Sequence, residues 1–137
     1  MLNDHPAPYE SMKPKILLVD DDPTSLQNMK EKLEKWGFEV LVAMTEAQFE
    51  RQVFQSNPDL MILDIMLGTK NIAHIYDRFV AMGLDEKIPV IFLSDLVDQD
   101  AESYAYPGRK FSLHHKSLEP QELLQEIKYL VRPSAES

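Results

Sequence analysis

Short apolar runs alternate along the chain with segments in which apolar residues recur at helical spacing. Runs such as KILLV and LMILD are continuously apolar, which is typical of strands that are buried on both faces. The predicted strands cover residues 15–19, 38–43, 60–64, 88–94 and 110–114, and the predicted helices cover residues 23–36, 45–56, 72–82, 96–106 and 120–131. This alternation predicts an α/β fold, a doubly wound five-stranded parallel sheet with helices on both faces.

Local signals support the helix boundaries. Pro23 suits the first position of a helix, and Gly37 suits the end of the same helix. Thr45 followed by Gln48 resembles a capping box, in which two side chains satisfy the free N–H groups of a helix start. Gly83 suits the end of the third helix.

The two ends of the chain differ from this pattern because they are polar and rich in proline or serine. We expect a disordered N-terminal extension over residues 1–13, one globular domain over 14–132 and a tail over 133–137. The sequence contains no apolar run that could act as a signal or cross a membrane, so we expect a soluble, cytoplasmic protein.

Charge and cysteine content exclude several classes of partner and site. The 23 acidic and 14 basic residues give a formal net charge of −9. This argues against direct binding to nucleic acid or to an anionic membrane, which both require a basic surface. The chain has no cysteine, which excludes disulfides and thiolate metal ligands.

Polar and charged residues stand where the predicted strands end. Asp20 and Asp21 follow the first strand, Asp64 ends the third, Ser94 ends the fourth and Lys116 follows the fifth. Ligands of such sheets bind at the carboxyl ends of the strands. Converging carboxylates suit Mg²⁺, which prefers oxygen ligands, and a metal-flanked aspartate is a competent nucleophile for a phosphoryl group. A nearby hydroxyl and ammonium could then hold that group.

These segments resemble the receiver domains of bacterial two-component response regulators, over residues 14–132. ILLVDDDP resembles the acidic motif of the first strand, PDLMILDIML the phosphoacceptor strand and IPVIFLS the hydroxyl-bearing strand, while HHK supplies the lysine. The intervals between these motifs also fit the family. The resemblance implies a flavodoxin-like, CheY-like (βα)5 domain with strand order 2-1-3-4-5.

The resemblance also implies roles for individual residues. Asp64 would accept the phosphoryl group, with Ser94 and Lys116 contacting the phosphoryl oxygens. The Mg²⁺ ligands would be Asp20, Asp21, Asp64 and the backbone carbonyl of Met66, with Asp20 binding mostly through water. Asp22 matches no functional position of the family, and we interpret it as the N-cap of the first helix.

The resemblance implies a signalling domain rather than an enzyme acting on a free substrate, with only self-catalysed phosphotransfer and autodephosphorylation. The phosphodonor would be a sensor histidine kinase or a histidine phosphotransfer protein. A target protein or a second copy of the chain would bind the face formed by the fourth helix, fifth strand and fifth helix, at 96–106, 110–114 and 120–131.

Four positions depart from the family pattern. Gly68 and Ser117 replace prolines, which predicts a looser loop at Gly68 and a trans or strained bond before Ser117. Asp95 replaces a small residue, and its carboxylate either repels an incoming phosphodonor or caps the fourth helix and points away. Leu113 replaces the aromatic switch residue. The next two residues, His114 and His115, are interpreted as a solvated pair.

Two other functions are compatible with parts of the sequence. A degenerate receiver would keep the fold and act as a protein-interaction module without phosphorylation, and Mg²⁺-dependent phosphorylation of Asp64 would distinguish it. A phosphatase of the haloacid dehalogenase type is suggested by VDDDPT, with Asp20 as nucleophile and Asp22 as general acid. That second alternative leaves Asp64 without a role and lacks a late acidic pair for Mg²⁺.

Overall fold

The computed structural model of the chain describes residues 13–94, 111–115 and 118–131. The strands are β1 Lys15–Val19, β2 Glu39–Ala43, β3 Leu60–Asp64, β4 Met66–Leu67, β5 Lys70–Asn71, β6 Val90–Ser94 and β7 Phe111–His115. The helices in this part of the chain are α1 Pro23–Lys35, α2 Glu46–Ser56, α3 Ile72–Ala81 and α4 Pro120–Val131.

Five parallel strands form the main sheet in the order β2-β1-β3-β6-β7. Counted without the short strands β4 and β5, this is the order 2-1-3-4-5, so the predicted fold is confirmed. The predicted helix at 96–106 lies outside the described residues, as do the ends at 1–12 and 132–137. None of the described helices has the length and apolar character needed to cross a bilayer.

Each central strand contributes side chains to two separate cores. In β1, Leu17 and Val19 join the core under α2 and α3, while Ile16 and Leu18 join the core under α1 and α4. The first core includes Phe49 and Phe79, whose rings pack edge to face with centroids 4.9 Å apart. Burial on both faces explains why these strands are continuously apolar in sequence.

The helix starts follow the capping signals of the sequence. At α1, Asp22 Oδ1 accepts a hydrogen bond of 3.2 Å from the Thr24 backbone N–H, and Pro23 opens the helix. At α2, Thr45 Oγ1 accepts the N–H of Gln48 at 3.1 Å. The Gln48 side chain accepts the N–H of Met44 at 2.8 Å, one residue before the position that an ideal capping box uses.

A two-stranded antiparallel ribbon joins the end of β3 to α3. Met66 pairs with Asn71 and Leu67 with Lys70, so Gly68 and Thr69 form a two-residue turn. Gly68 has a φ of 64°, which proline cannot adopt. The sequence predicted a looser loop here. The structure instead has a paired ribbon, because glycine permits the left-handed turn that closes it.

The cap at α1 can be tested by comparing Asp22→Ala with Asp22→Asn. Both variants remove one charge from the acidic triplet, but only asparagine keeps an oxygen that can accept the Thr24 N–H. We expect the free energy of unfolding to be about 1 kcal/mol lower for alanine than for asparagine. Urea denaturation followed by circular dichroism measures this difference, and equal values for the two variants would contradict a contribution from the cap.

Candidate functional site

Three carboxylates converge at the carboxyl edge of the main sheet. Asp20 and Asp21 follow β1, and Asp64 is the last residue of β3. Because β1 and β3 are adjacent parallel strands, their carboxyl ends lie side by side. One oxygen from each of the three side chains lies within 4.8 Å of the others. The structure therefore brings together the three aspartates that the sequence predicted as metal ligands.

Backbone contacts hold two of these carboxylates in place. The Asp20 N–H donates to the carbonyl of Ala43 at 3.1 Å, which extends the pairing of β1 with β2. Asp20 Oδ1 accepts the N–H of Asp22 at 3.0 Å. Asp21 Oδ2 accepts the N–H of Gly68 at 2.9 Å, so the turn of the ribbon lies directly against the acidic cluster.

The cluster has the chemistry of a divalent cation site. Two unit negative charges about 4 Å apart repel by about 1 kcal/mol even in bulk water, and this cluster has three such pairs. Two oxygens bound to one Mg²⁺ lie at most about 4.2 Å apart, which is twice the Mg–O distance. The three carboxylate oxygens lie within 4.8 Å of one another, which is close enough for one cation to bind among them, directly or through water.

An apolar pocket of about 80 Å³ borders the half-buried Asp20 and Asp64 on the side of α1. Apart from the two aspartates, it is lined by Leu18, Val19, Ser25, Leu26, Met29, Ile62 and Leu93. An apolar wall lowers the local dielectric constant and so strengthens the interaction of these carboxylates with any bound cation.

Two further predicted residues lie close to this edge, and a third is not described. Ser94 ends β6, which pairs with β3, and it is 1% exposed. Met66 stands two residues after Asp64 at the start of β4, and the residue is 38% exposed. Lys116 directly follows β7 in the sequence and lies outside the described residues.

The structure corrects the interpretation of His114. Its register partner is Leu93, and its Nε2 atom is buried with no hydrogen-bond partner in the described part of the chain. The prediction of a solvated side chain is therefore wrong for the Nε2 end of His114, which as a whole is half-buried. The side chains of Leu113 and His115 are not described, and Asp95 and Ser117 lie outside the described residues.

Sequence reasoning missed the contribution of the ribbon to this site. The donor to Asp21 is the backbone N–H of Gly68, which no side-chain motif could reveal. The available signal was the pair Gly68–Thr69, because glycine is typical of the two-residue turns that close antiparallel strands. Strands of two residues are too short to show alternation, so this signal had no support from periodicity.

Curated sequences similar to this chain are response regulators. The response regulator protein GraR of Staphylococcus epidermidis is 36% identical over 83 residues, covering 58% of this chain and 34% of GraR. The DNA-binding dual master transcriptional regulator RpaA of Synechocystis is 26% identical over 119 residues, covering 87% of this chain and 49% of RpaA. The chain thus spans between about a third and a half of these relatives.

Solved structures agree with the sequence comparison. The BeF3-activated receiver domain of RstA from Klebsiella pneumoniae gives a TM-score of 0.74 at 26% identity, over 87% of this chain and 99% of that one. A CheY-like receiver domain protein from Methanospirillum hungatei gives a TM-score of 0.76 at 22% identity, over 87% and 94% of the two chains. Residues 16–128 match the family described as the response regulator receiver domain. The chain therefore belongs to the response regulator receiver domain family, a family of two-component signalling domains.

Proposed function

We propose that this receiver domain accepts a phosphoryl group on Asp64 and that the acidic cluster binds the Mg²⁺ that this reaction requires. The observation that carries the proposal is the convergence of Asp20, Asp21 and Asp64 within 4.8 Å. Receiver domains generally bind Mg²⁺ at an acidic site, and this chain belongs to that family. The backbone carbonyl of Met66 would complete the set of protein ligands.

In the proposed reaction, a carboxylate oxygen of Asp64 forms a new bond to the phosphorus of the donor. The bond from phosphorus to the leaving nitrogen or oxygen of the donor breaks at the opposite side, and the leaving group takes up a proton. The bound Mg²⁺ would supply positive charge between the carboxylates and the phosphoryl oxygens. Asp20 and Asp21 would hold that charge beside Asp64.

Ser94 and Lys116 are proposed to contact the transferred group. Ser94 is buried at the end of β6, beside β3, so its hydroxyl is protected from competition with bulk water. A hydroxyl that donates to a phosphoryl oxygen and an ammonium that pairs with its charge would stabilise the product. This assignment comes from the family motif, since Lys116 lies outside the described residues.

The proposed signal is a change in protein contacts. A histidine kinase or histidine phosphotransfer protein in the cytoplasm would donate the phosphoryl group, and phosphorylation would shift the population between two conformers. The responding surface would include β7 and α4 together with residues 96–106, and a target protein or a second copy would bind there. The DNA-binding activity named for RpaA is not part of this proposal.

Phosphorylation can be tested by intact-mass spectrometry after incubation with acetyl phosphate. We expect one phosphoryl adduct that requires Mg²⁺ and disappears in Asp64→Asn. Asp22→Asn is a matched control, because it removes a neighbouring charge while keeping an oxygen for the Thr24 N–H, and it should still be phosphorylated.

The same measurement separates the alternatives. No adduct on a folded wild-type chain would contradict the proposal and support a degenerate receiver that acts by binding alone. An adduct that persists in Asp64→Asn but disappears in Asp20→Asn would instead identify Asp20 as the nucleophile, as in the phosphatase alternative.

Mg²⁺ should also stabilise the folded chain, because only the folded state brings Asp20, Asp21 and Asp64 together. We expect the thermal midpoint to rise with MgCl₂ and to rise less in Asp21→Asn. A 100-fold excess over the dissociation constant corresponds to about 2.7 kcal/mol. NaCl of equal ionic strength is the control, since it screens the repulsion without binding at the site. An equal rise with both salts would contradict a specific cation site.

A further inference from the structure

The ribbon β4–β5 contacts the rest of the domain at both sides of its turn. On one side, the N–H of Gly68 donates to Asp21 at 2.9 Å. On the other side, Lys70 Nζ lies 2.6 Å from Glu46 Oε1, at the first residue of α2. Leu67, which precedes Gly68 and pairs with Lys70, is buried in the core under α2 and α3. The ribbon is therefore fixed to the acidic cluster at one point and to α2 at another.

Glu46 uses both carboxylate oxygens in this arrangement. Its Oε1 pairs with Lys70, and its Oε2 pairs with Arg78 of α3. The Glu46 side chain is only 23% exposed, whereas Lys70 and Arg78 are 63% and 51% exposed. One carboxylate thus links the start of α2, the ribbon and α3, and a network of this kind contributes more than an isolated surface pair.

We propose that Glu46 and Lys70 are positioning residues for the cation site. Their ion pair holds the ribbon in the orientation that directs the Gly68 N–H to Asp21 and places the backbone of Met66 beside Asp64. This inference depends on the proposed function, because it assigns the ion pair a role in binding the Mg²⁺ of the same site. Neither residue belongs to the proposed set of cation ligands.

If Lys70 acts through its charge, its substitution should change Mg²⁺ affinity in one direction, and if it positions the ribbon, in the opposite direction. Lys70 pairs with Glu46, which follows the carboxyl end of β2, and β2 lies beside β1, so the positive charge of Lys70 lies at the same edge of the sheet as the acidic cluster. If Lys70 acted only through charge, its neutralisation would reduce repulsion of the cation and strengthen Mg²⁺ binding. If Lys70 positions the ribbon, its neutralisation weakens Mg²⁺ binding. The direction of the change therefore distinguishes the two effects.

The experiment is calorimetric titration of the full chain with MgCl₂ for wild type, Lys70→Met and Lys70→Arg. We expect Lys70→Met to raise the dissociation constant about threefold to fivefold, which is the size of effect that an exposed ion pair supports. Lys70→Arg should restore the wild-type value, because arginine keeps the charge and can reach Glu46. The rate of phosphorylation by acetyl phosphate at low Mg²⁺ should follow the same order.

Lys30→Met is the matched control for lost charge. Lys30 also forms an exposed ion pair, with Glu34 at 3.0 Å, but it lies on α1, which packs on the other core of the domain from Leu67 of the ribbon. Lys30→Met should leave the dissociation constant for Mg²⁺ within twofold of the wild-type value, because a weak surface ion pair contributes a free energy of about that size. Urea denaturation of both methionine variants shows whether a change in binding accompanies a general loss of stability.

The outcomes separate this inference from the proposed function. Unchanged or tighter Mg²⁺ binding by Lys70→Met would overturn the positioning role while leaving the cation site intact. An equal loss in Lys30→Met would also overturn it, because the effect would then not depend on the ribbon. If the wild-type chain binds no Mg²⁺, or if it binds Mg²⁺ that Asp21→Asn does not remove, the cation site itself is overturned. The positioning role is then overturned with it.

Discussion

The repulsion among three carboxylates is the constraint on which the functional edge of this domain depends. The parallel pairing of β1 with β3 places Asp20, Asp21 and Asp64 together, and this arrangement costs free energy. The hydrophobic burial of β1 and β3 on both faces favours the sheet strongly enough to impose that cost. The proposed affinity for a divalent cation would follow from this cost, because a cation at this edge would relieve repulsion that the fold itself creates.

The three consecutive aspartates illustrate how backbone geometry gives chemically identical residues different structural roles. Asp20 accepts the N–H of Asp22, Asp21 accepts the N–H of Gly68, and Asp22 accepts the N–H of Thr24. Only the first two contribute to the acidic cluster, whereas the third ends a strand-to-helix turn. The same residue type therefore provides two candidate ligands and one helix cap, according to where the chain turns.

The sequence predicted the strands and helices whose apolar pattern extends over the whole element, and the helix starts that carry a recognisable capping residue. Continuous apolar runs predicted β1 and β3, and the strand-end rule then predicted that Asp64 would lie beside Asp20. Two features could not be predicted from the sequence, because they depend on how separate parts of the chain pair. The ribbon at Met66–Asn71 has strands too short for periodicity, and the burial of the His114 Nε2 atom arises where β7 pairs with β6, at the register of His114 with Leu93.

Gly68, which departs from the family pattern, determines how the loop beside the acidic cluster is held. A proline at position 68 would restrict φ, but it would have no N–H to donate to Asp21 and could not adopt the observed φ of 64°. With glycine at this position, the loop lacks the restraint of a proline ring. It forms a paired ribbon instead, and the Gly68 N–H donates to Asp21 of the acidic cluster. The contacts that constrain this loop are therefore hydrogen bonds and an ion pair to Glu46 instead of a proline ring. A site supported in this way would depend on side chains outside the family motif, which is the basis of the positioning role proposed for Glu46 and Lys70.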